Sequence, residues 1–413
     1  MDKATNRRQF LVGTGAAALL PVALKASLAD ASSEEAYWQL IRSQFTFTED
    51  RVPMNAANLC PSPRAVSERV YELTLDIDRD CSFSNRAKFQ GLLESSRANV
   101  AALLNASPDE VALVRNTSEA NNMVNNGIDL EPGAEIVLWE QNHPTNNVAW
   151  DVRAKRFGLR IKRVTTPAKP TDKGQLVELF TSALTPRTKV LALTHVSNVT
   201  GVALPIAEIA AVARGRGVHV HVDGAQSWGA LDVDLKALGC DTYSASAHKW
   251  FMGPKEAGLL YVREDRIPSI WPNVVAPGWG DDVQTDLVGA RKFESLGQRD
   301  DACLASIAVA NELHTTISPS RAEERVRALA QRLKTGVREL GLNLVTPFEA
   351  ELSGGVCIVA VPPDHSGAIS TRLYQEHGIA GASTGGLRLC PHVYNTVAHI
   401  DRALAGIKDL LTS

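Results

Sequence analysis

Short apolar segments alternate with helix-forming segments through the middle of this 413-residue chain. The apolar segments are rich in β-branched residues, and amphipathic stretches such as 175–183 and 206–214 separate most of them. Strands that alternate with helices are typical of the α/β class, in which helices cover both faces of a mostly parallel sheet. We predict strands at Val111–Arg115, Glu135–Trp139, Arg160–Val164, Val190–Thr194, His219–Asp223 and Asp241–Ser244, with Gly258–Val262 as an antiparallel addition.

The pattern changes after about residue 301. Helical stretches at 303–315 and 320–340 precede a strand at 355–361, a helix at 367–376, a strand at 387–390 and a final helix at 397–411. That order predicts a smaller α+β domain. The predicted organisation is a signal peptide at 1–31, an N-terminal arm with the first helix at 32–55, a large domain at 56–301 and a small domain at 302–413.

The first thirty residues differ in character from the rest of the chain. Arg7 and Arg8 precede Phe10-Leu11 and an apolar stretch, and small residues follow at 27–31. This order is typical of a twin-arginine signal. An uncleaved amphipathic start or a membrane anchor is the alternative, and Pro21 and Lys25 interrupt the apolar run too early for a comfortable span. We expect the twin-arginine machinery to export the folded protein to the periplasm, without a stable membrane span.

Composition narrows the classes of partner. The chain is 44% hydrophobic and 22% charged, with a formal net charge of −3 and no basic stripe. Nucleic acid is therefore an unfavourable partner, because phosphate binding requires clustered positive charge. The six cysteines show no CxxC or Cys/His metal spacing, so we predict no metal site and interpret Cys357 and Cys390 as buried thiols.

Polar residues follow the predicted strands at their carboxyl ends, where ligands of open α/β sheets bind. Such ends from one sheet would converge on one crevice, which predicts a site for a small molecule. The five polar ends are Asn116-Thr117-Ser118, Asn142-His143, Ser197-Asn198, Asp223-Gly224-Ala225-Gln226 and Ser246-Ala247-His248-Lys249.

Three of these ends carry recognisable chemistry. Lys249 precedes Trp250 and other apolar residues, and desolvation there would lower its pKa and favour Schiff-base formation, although a surface lysine is the commoner case. Asp223 could face a pyridinium nitrogen or cap a helix. Thr117 and Ser118 begin a predicted helix, where hydroxyls and free amides bind phosphate or serve as caps.

These residues carry a resemblance to a known family. The segment Ser246-Ala247-His248-Lys249, with 253–255 and 258–262 after it, resembles the cofactor-lysine segment of class V aminotransferases, which include cysteine desulfurases and isopenicillin N epimerase-like proteins. Segments 195–201, 223–226 and 387–396 resemble further motifs of that family, from about Asn55 to the C-terminus. The resemblance implies pyridoxal 5′-phosphate (PLP), the fold of type I PLP enzymes and a homodimer with active sites at the interface.

The resemblance also implies roles for individual residues. Lys249 would form the Schiff base and shuttle the substrate α-proton, Asp223 would pair with the pyridine nitrogen, and His143 would stack on the ring. Arg388 would grip the substrate carboxylate, with Asn55 as a second substrate-binding residue. The remaining cofactor-binding residues are Asn198 and Gln226 on the ring-oxygen side, and Thr117, Ser118, Ser246 and His248 at the phosphate.

Two departures from the family pattern affect the prediction. A Gly-Thr pair that reaches the phosphate of the neighbouring subunit is replaced here by Gly297-Gln298, and Gln298 retains a hydrogen-bond donor. The loop at 378–386 lacks the nucleophilic cysteine that cysteine desulfurases carry, which argues against desulfuration through a persulfide.

The expected substrate is an amino acid or a peptide-like small molecule, and the reaction class remains open. Transamination, epimerisation and β-elimination share the removal of the α-proton. Among exported class V proteins, the chain resembles the periplasmic PLP enzyme that modifies the glutamate side group of the pyoverdine siderophore precursor. A non-catalytic exported binding protein is the alternative from another class, and the presence of Lys249, Asp223 and Arg388 argues against it.

Overall fold

The computed structural model describes residues 22–276 and 288–412. Its strands are β1 (Val52–Pro53), β2 (Val111–Val114), β3 (Glu135–Trp139), β4 (Arg160–Val164), β5 (Thr188–Thr194), β6 (His219–Asp223), β7 (Thr242–Ser246), β8 (Gly258–Val262), β9 (Cys357–Val359), β10 (Ile379–Ala380) and β11 (Leu387–Leu389). Its α-helices are α1 (Val22–Ala29), α2 (Glu34–Arg42), α3 (Arg64–Arg79), α4 (Phe83–Arg86), α5 (Lys88–Leu103), α6 (Thr117–Gly127), α7 (Pro144–Phe157), α8 (Lys173–Ser182), α9 (Ile206–Gly215), α10 (Leu235–Leu238), α11 (Asp301–Ala305), α12 (Ile307–Ile317), α13 (Pro319–Glu339), α14 (Pro363–His377) and α15 (Val397–Leu411).

A seven-stranded sheet forms the centre of the molecule, in the order β2-β8-β7-β6-β5-β3-β4. β8 pairs antiparallel with β7 and β2, and the other pairs are parallel. The predictions of a mostly parallel α/β sheet and of an antiparallel strand at 258–262 are both confirmed. Because β2 and β7 flank β8, the carboxyl ends of β2, β3, β5, β6 and β7 share one edge of the sheet.

One face of β6 and β7 is polar although both strands are buried. Side chains two residues apart share a face, so His219, His221 and Asp223 lie together on β6. The register pairs His221 with Thr242 and Asp223 with Ser244, which extends the polar face across β7. Helix α6 packs on both strands. The opposite faces contribute apolar side chains to the main core.

The C-terminal part builds a second, smaller core. β9 and β11 pair antiparallel, and β1 from the N-terminal arm pairs parallel with β10. Val52 and Met54 therefore belong to the second core, together with Leu329 and Ile400. Helices α11 and α12 instead pack on α5 and contribute to the cores of the large sheet domain. The predicted domain boundary between residues 301 and 302 stays a prediction. Helix α12, which follows that boundary, packs on α5, which precedes it.

The helices differ from the sequence predictions most at two places. Helix α7 is absent from the predictions, although proline is favoured at a first helical position and His143 supplies the N-cap. The single helix predicted at 303–315 is wrong in one respect, since α11 ends before Ser306 and α12 begins after it. Ser306 donates its hydroxyl to the Ala302 carbonyl at 2.7 Å, which accompanies the break.

The predicted twin-arginine motif lies outside the described residues. The described chain begins with α1, whose Leu24 and Leu28 pack into the main core and whose Lys25 pairs with Glu312. Within 22–276 and 288–412, the helices are too short or too polar to cross a bilayer.

Candidate active site

Lys249 lies in a tight turn directly after β7. The Met252 N–H donates to the Lys249 carbonyl at 2.8 Å, and the Gly253 N–H donates to the Ala247 carbonyl at 2.7 Å. Met252 adopts a φ of 55°, which is rare for a residue with a side chain. Such backbone strain persists only where the surroundings determine it, and it concentrates at functional sites. The turn therefore fixes where the Lys249 side chain leaves the sheet edge.

The Lys249 ammonium is in an unfavourable environment. Burial lowers the pKa of Lys249, the Asp223 carboxylate raises it, and the Arg388 guanidinium lowers it again. Within the described part of the chain, no hydrogen bond or ion pair engages the Lys249 Nζ. Desolvation next to a second cation favours the neutral amine, which is the nucleophilic form.

Asp223 is 1% exposed and ends β6 at the same edge. Its Oδ2 accepts a hydrogen bond of 2.9 Å from Asn121 Nδ2, and its Oδ1 accepts one of 3.0 Å from the Ala225 N–H. A buried carboxylate with a fixed donor on each oxygen is held in one orientation. Asp223 can thus accept a further hydrogen bond from a cationic ligand.

The start of α6 and the end of β7 form a cup lined with hydroxyls. The Thr117 N–H donates to Ser246 Oγ at 2.8 Å, and the two hydroxyl oxygens are 2.7 Å apart. Ser118 follows in the first helical turn, whose N–H groups have no carbonyl partner within the helix. A side chain at Gly258 would bring a Cβ to 2.5 Å from the Ala245 carbonyl oxygen, so glycine there lets the cup close.

Two histidines flank the lysine. His248 Nδ1 is buried and has no hydrogen-bond partner among residues of the described segments. Burial and the charges of Lys249 and Lys255 lower the pKa of His248 to about 4. His143 Nδ1 accepts from the Thr145 N–H at 3.3 Å, and its pKa is lowered by burial and by Lys249, whereas Asp223 raises it. His143 therefore lies near both Lys249 and Asp223.

Arg388 reaches the same edge from the small domain. One Nη donates to the Asn198 carbonyl at 3.0 Å and the other to Asn55 Oδ1 at 3.1 Å. The side chain is only 4% exposed, and its Nε lacks a partner in the part of the chain that the structure describes. A buried guanidinium with an unsatisfied N–H is suited to binding a carboxylate.

Gln226 and Gln298, two of the predicted cofactor-binding residues, form hydrogen bonds to other parts of the protein. Gln226 is 3% exposed, donates to the Ala57 carbonyl at 3.0 Å and accepts from Trp250 Nε1 at 2.8 Å, so its amide joins the N-terminal loop to the lysine turn. Gln298 lies in a cleft of about 510 Å³, where its Oε1 accepts from Arg86 at 2.8 Å. The cross-subunit role of Gln298 stays a prediction.

The residues at the edge of the sheet fit PLP. Asp223 can pair with a pyridine nitrogen, and the cup of Thr117, Ser118, Ser246 and His248 offers donors to a phosphate. His248 Nδ1, which is buried and has no partner among the described residues, is a polar atom that a ligand would satisfy.

Sequence reasoning missed a polar layer behind Asp223. Asn121 and His221 are each 1% exposed, and neither was singled out. A signal was present, because His219, His221 and Asp223 alternate with valines in one strand and must share a face. Asn121 lies one helical turn after Thr117.

The buried cysteines are not suited to act as nucleophiles. All six lie within the described residues and are free thiols, and Cys81 alone among them is exposed. Burial raises the pKa of Cys390 and raises that of Cys60 to about 12. A thiolate is the nucleophilic form, so these buried thiols are inert.

Comparison with known proteins shows the family of this chain. The family model for aminotransferase class V matches residues 65–402. The chain is 31% identical over 397 residues to an isopenicillin N epimerase of Amycolatopsis lactamdurans, covering 90% of this chain and 98% of the relative. It is 29% identical to an isopenicillin N epimerase of Streptomyces clavuligerus over 91% and 98% of the two chains. It is 27% identical to a probable cysteine desulfurase of Pyrococcus abyssi over 90% and 97%.

Solved structures share the fold. An apo cysteine desulfurase of Thermococcus onnurineus superposes with a TM-score of 0.80 at 24% identity, covering 91% of this chain and 98% of that one. A lysine-to-alanine variant of C-DES, with glycine covalently linked to its PLP cofactor, superposes with a TM-score of 0.80 at 26% identity over 89% and 99%. The cystine C-S lyase C-DES in complex with cysteine persulfide gives a TM-score of 0.80 at 25% identity over 88% and 98%.

Proposed function

This chain belongs to the class V aminotransferase family and is a PLP-dependent enzyme, and we propose that it acts at the α-carbon of an amino acid or an amino-acid-derived group. The observation that carries the proposal is that a buried lysine has both a carboxylate and a guanidinium close enough to shift its pKa. Asp223 raises the pKa of Lys249 and Arg388 lowers it. With Asp223 toward the cofactor and Arg388 toward the substrate carboxylate, the amine would be placed to take a proton from a carbon bonded to nitrogen and carboxylate.

Each residue has a defined task in that reaction. PLP, when bound, supplies an electron sink that acidifies the substrate α-proton. Arg388 binds the α-carboxylate through the N–H groups that face the site, and Asn55 holds the guanidinium in place. The neutral Lys249 amine accepts the α-proton, because its lowered pKa keeps it unprotonated at a pH where an ordinary lysine is charged.

We favour transamination or epimerisation, in which a proton returns to carbon. The relatives at 29% and 31% identity are isopenicillin N epimerases, which supports a proton-transfer reaction. Desulfuration through an enzyme persulfide lacks support, since residues 378–386 contain no cysteine and Cys390 is buried.

A C–S or β-elimination reaction is the second candidate. The likeness at 25% identity to a cystine C-S lyase supports it, and elimination needs no cysteine on the enzyme. The three reactions differ in products. β-Elimination releases a keto acid, ammonia and the leaving group, whereas transamination gives a keto acid and passes the amino group to a second keto acid. Epimerisation returns the amino acid with the opposite configuration.

A deuterium experiment tests the proposal and separates the reactions. Purified holoenzyme in D₂O is incubated with a panel of L-amino acids, cystine and short peptides, and products are analysed by mass and chirality. We expect α-deuterium incorporation that requires Lys249, with Lys249→Ala as the inactive variant. Lys255→Ala is the matched control, since Lys255 bonds the Cys60 carbonyl and Ser62. Failure of every substrate to exchange, with cofactor bound, would overturn the proposal.

Export and a siderophore substrate complete the proposal. We propose that the paired arginines near the N-terminus direct the folded enzyme to the periplasm, and that it modifies the glutamate side group of a pyoverdine-type precursor. Support comes from the order of charged, apolar and small residues in the first 31 positions. If a deletion strain makes the fully modified siderophore, or its native host makes none, the siderophore assignment fails. An Arg7→Lys and Arg8→Lys protein that still reaches the periplasm contradicts the export route.

A further inference from the structure

A string of buried polar side chains lies behind Asp223, on the face of the sheet that α6 covers. His219, Thr242, His221 and Asn121 are 9%, 0%, 1% and 1% exposed. His219 Nε2 lies 3.1 Å from Thr242 Oγ1, which lies 2.9 Å from His221 Nδ1. His221 Nε2 lies 2.9 Å from Asn121 Oδ1, and Asn121 Nδ2 lies 2.9 Å from Asp223 Oδ2. We call these four residues the relay.

The donors of the relay point in one direction. An ionised carboxylate only accepts, so Asn121 Nδ2 donates to Asp223 and Asn121 Oδ1 faces His221. Asn121 Oδ1 must then accept from His221 Nε2–H, and it also accepts from the Ser244 hydroxyl. A neutral His221 accepts at Nδ1 from the Thr242 hydroxyl, whose oxygen accepts from His219 Nε2–H. Each hydrogen bond of the relay is therefore donated in the direction of Asp223.

Both imidazoles are neutral at pH 7. Burial, with a smaller contribution from the neighbouring His219, lowers the pKa of His221 to about 3. Burial lowers the pKa of His219 to about 4, with Asp241 and Asp265 opposing and Arg266 and Arg263 reinforcing the change. The relay consequently presents dipoles to Asp223 and brings no compensating cation.

We propose that Asn121 and His221 are positioning residues that orient the Asp223 carboxylate and share its negative charge, so that it faces the cofactor's ring nitrogen in one fixed geometry. The amide N–H that contacts Asp223 is too weak an acid to transfer its proton, so the relay stabilises the carboxylate by hydrogen bonding alone. Lys249 and His143 also interact electrostatically with Asp223. A protonated ring nitrogen would donate to the carboxylate that the relay orients. The relay thus sets how strongly the cofactor withdraws electrons.

The test reads the pH dependence of the visible absorbance of the cofactor bound to Lys249, together with cofactor retention on dialysis. Asn121→Ala removes one hydrogen-bond donor, so the Asp223 carboxylate attracts the proton of the ring nitrogen more strongly. The ring becomes less positive and the Lys249 nitrogen holds its proton more tightly. We expect the pH midpoint of the absorbance change to rise by about one pH unit. Asn125→Ala is the matched control, because Asn125 is equally buried, lies one turn along the same helix and is outside the relay.

A pair of substitutions at His221 tests whether the hydrogen bond to Asn121 matters and whether His221 must be its donor. His221→Gln places an amide N–H near the Nε2 position and retains the donor to Asn121, whereas His221→Asn keeps only a group near Nδ1. We expect wild-type absorbance behaviour from His221→Gln and a raised midpoint from His221→Asn. This pair also decides the matter if Asn121→Ala fails to fold. Equal midpoints in the two His221 variants, or an Asn121→Ala midpoint no higher than that of Asn125→Ala, would overturn the proposal.

Discussion

The guanidinium of Arg388 donates a hydrogen bond of 3.1 Å to the side-chain oxygen of Asn55, which lies 333 residues earlier in the chain. The two residues belong to different parts of the fold, since Asn55 follows β1 and Arg388 lies in β11. Asn55 also forms a bridge with Cys390. The substrate side of the site therefore exists only after the N-terminal arm has docked on the small domain.

Removal of the Arg388 guanidinium should reduce the turnover of substrates that carry a free α-carboxylate. We expect Arg388→Ala to lower kcat/KM by about 100-fold, since a hydrogen-bonded charge contributes about 1.5–3 kcal/mol. Arg388→Lys keeps the charge but loses the planar fork, and should fall between the two. Asn55→Ala should lose less than about tenfold, because the guanidinium retains its bond to the Asn198 carbonyl. Equal kcat/KM for Arg388→Ala and the wild type on such substrates would contradict the assignment.

Loss of either hydroxyl in the phosphate cup should weaken cofactor binding without altering the colour of the bound form. We expect Thr117→Val and Ser246→Ala each to raise the Kd for PLP by about tenfold, the effect of one hydrogen bond. The double variant should lose less than the product, because the two hydroxyls are 2.7 Å apart and share the contact. Ser96→Ala is the control, since Ser96 is buried and bonds the Ala305 carbonyl. A Kd unchanged in both single variants would place the phosphate elsewhere.

Stability should fall as the pH drops below neutrality. His314 is buried, and burial lowers its pKa from 6.5 to about 4, so the unfolded chain takes up a proton before the folded protein does. A lowered histidine pKa gives stability that is complete above pH 6.5 and is lost as the pH falls toward 4, by about 1.4 kcal/mol per pH unit for each proton. His314→Gln can retain the bond to the Phe251 carbonyl without titrating. Urea unfolding between pH 7 and pH 5 should therefore give a shallower loss for His314→Gln, and parallel slopes would refute this account.

A methyl group at position 224 should disrupt the site. A Cβ at Gly224 would lie 1.9 Å from Tyr243 Cζ, and the Tyr243 hydroxyl is held by Ser227 at 2.8 Å. We expect Gly224→Ala to destabilise the protein by about 2–4 kcal/mol and to impair PLP binding, because Asp223 precedes the displaced residue. Gly215→Ala at the end of α9 meets no atom within 4 Å and should be neutral or stabilising. Thermal unfolding of both variants provides the measurement. Equal melting temperatures would show that Tyr243 moves to accommodate the methyl group, which would contradict the prediction.

The sequence by itself determined the class of fold and the first layer of the site. Alternating apolar runs predict the strands, and β3, β4, β6 and β8 have the predicted bounds. Polar residues at strand ends predict where a ligand lies, because parallel strands present their carboxyl ends at one edge. Lys249, Asp223 and His143 come together for that reason, and local pattern suffices to foresee it.

The tertiary structure decided what each of those groups can do. Gln226 is committed to Ala57 and Trp250, and Asn121 bonds Asp223 from a helix 102 residues earlier, contacts that depend on how α6 and the N-terminal loop pack. The lowered pKa of Lys249 likewise depends on its burial and on the Arg388 guanidinium, which comes from the C-terminal part of the chain. Desolvation and long-range hydrogen bonds are properties of assembled surfaces, so a local pattern can indicate a reactive residue but cannot specify its environment.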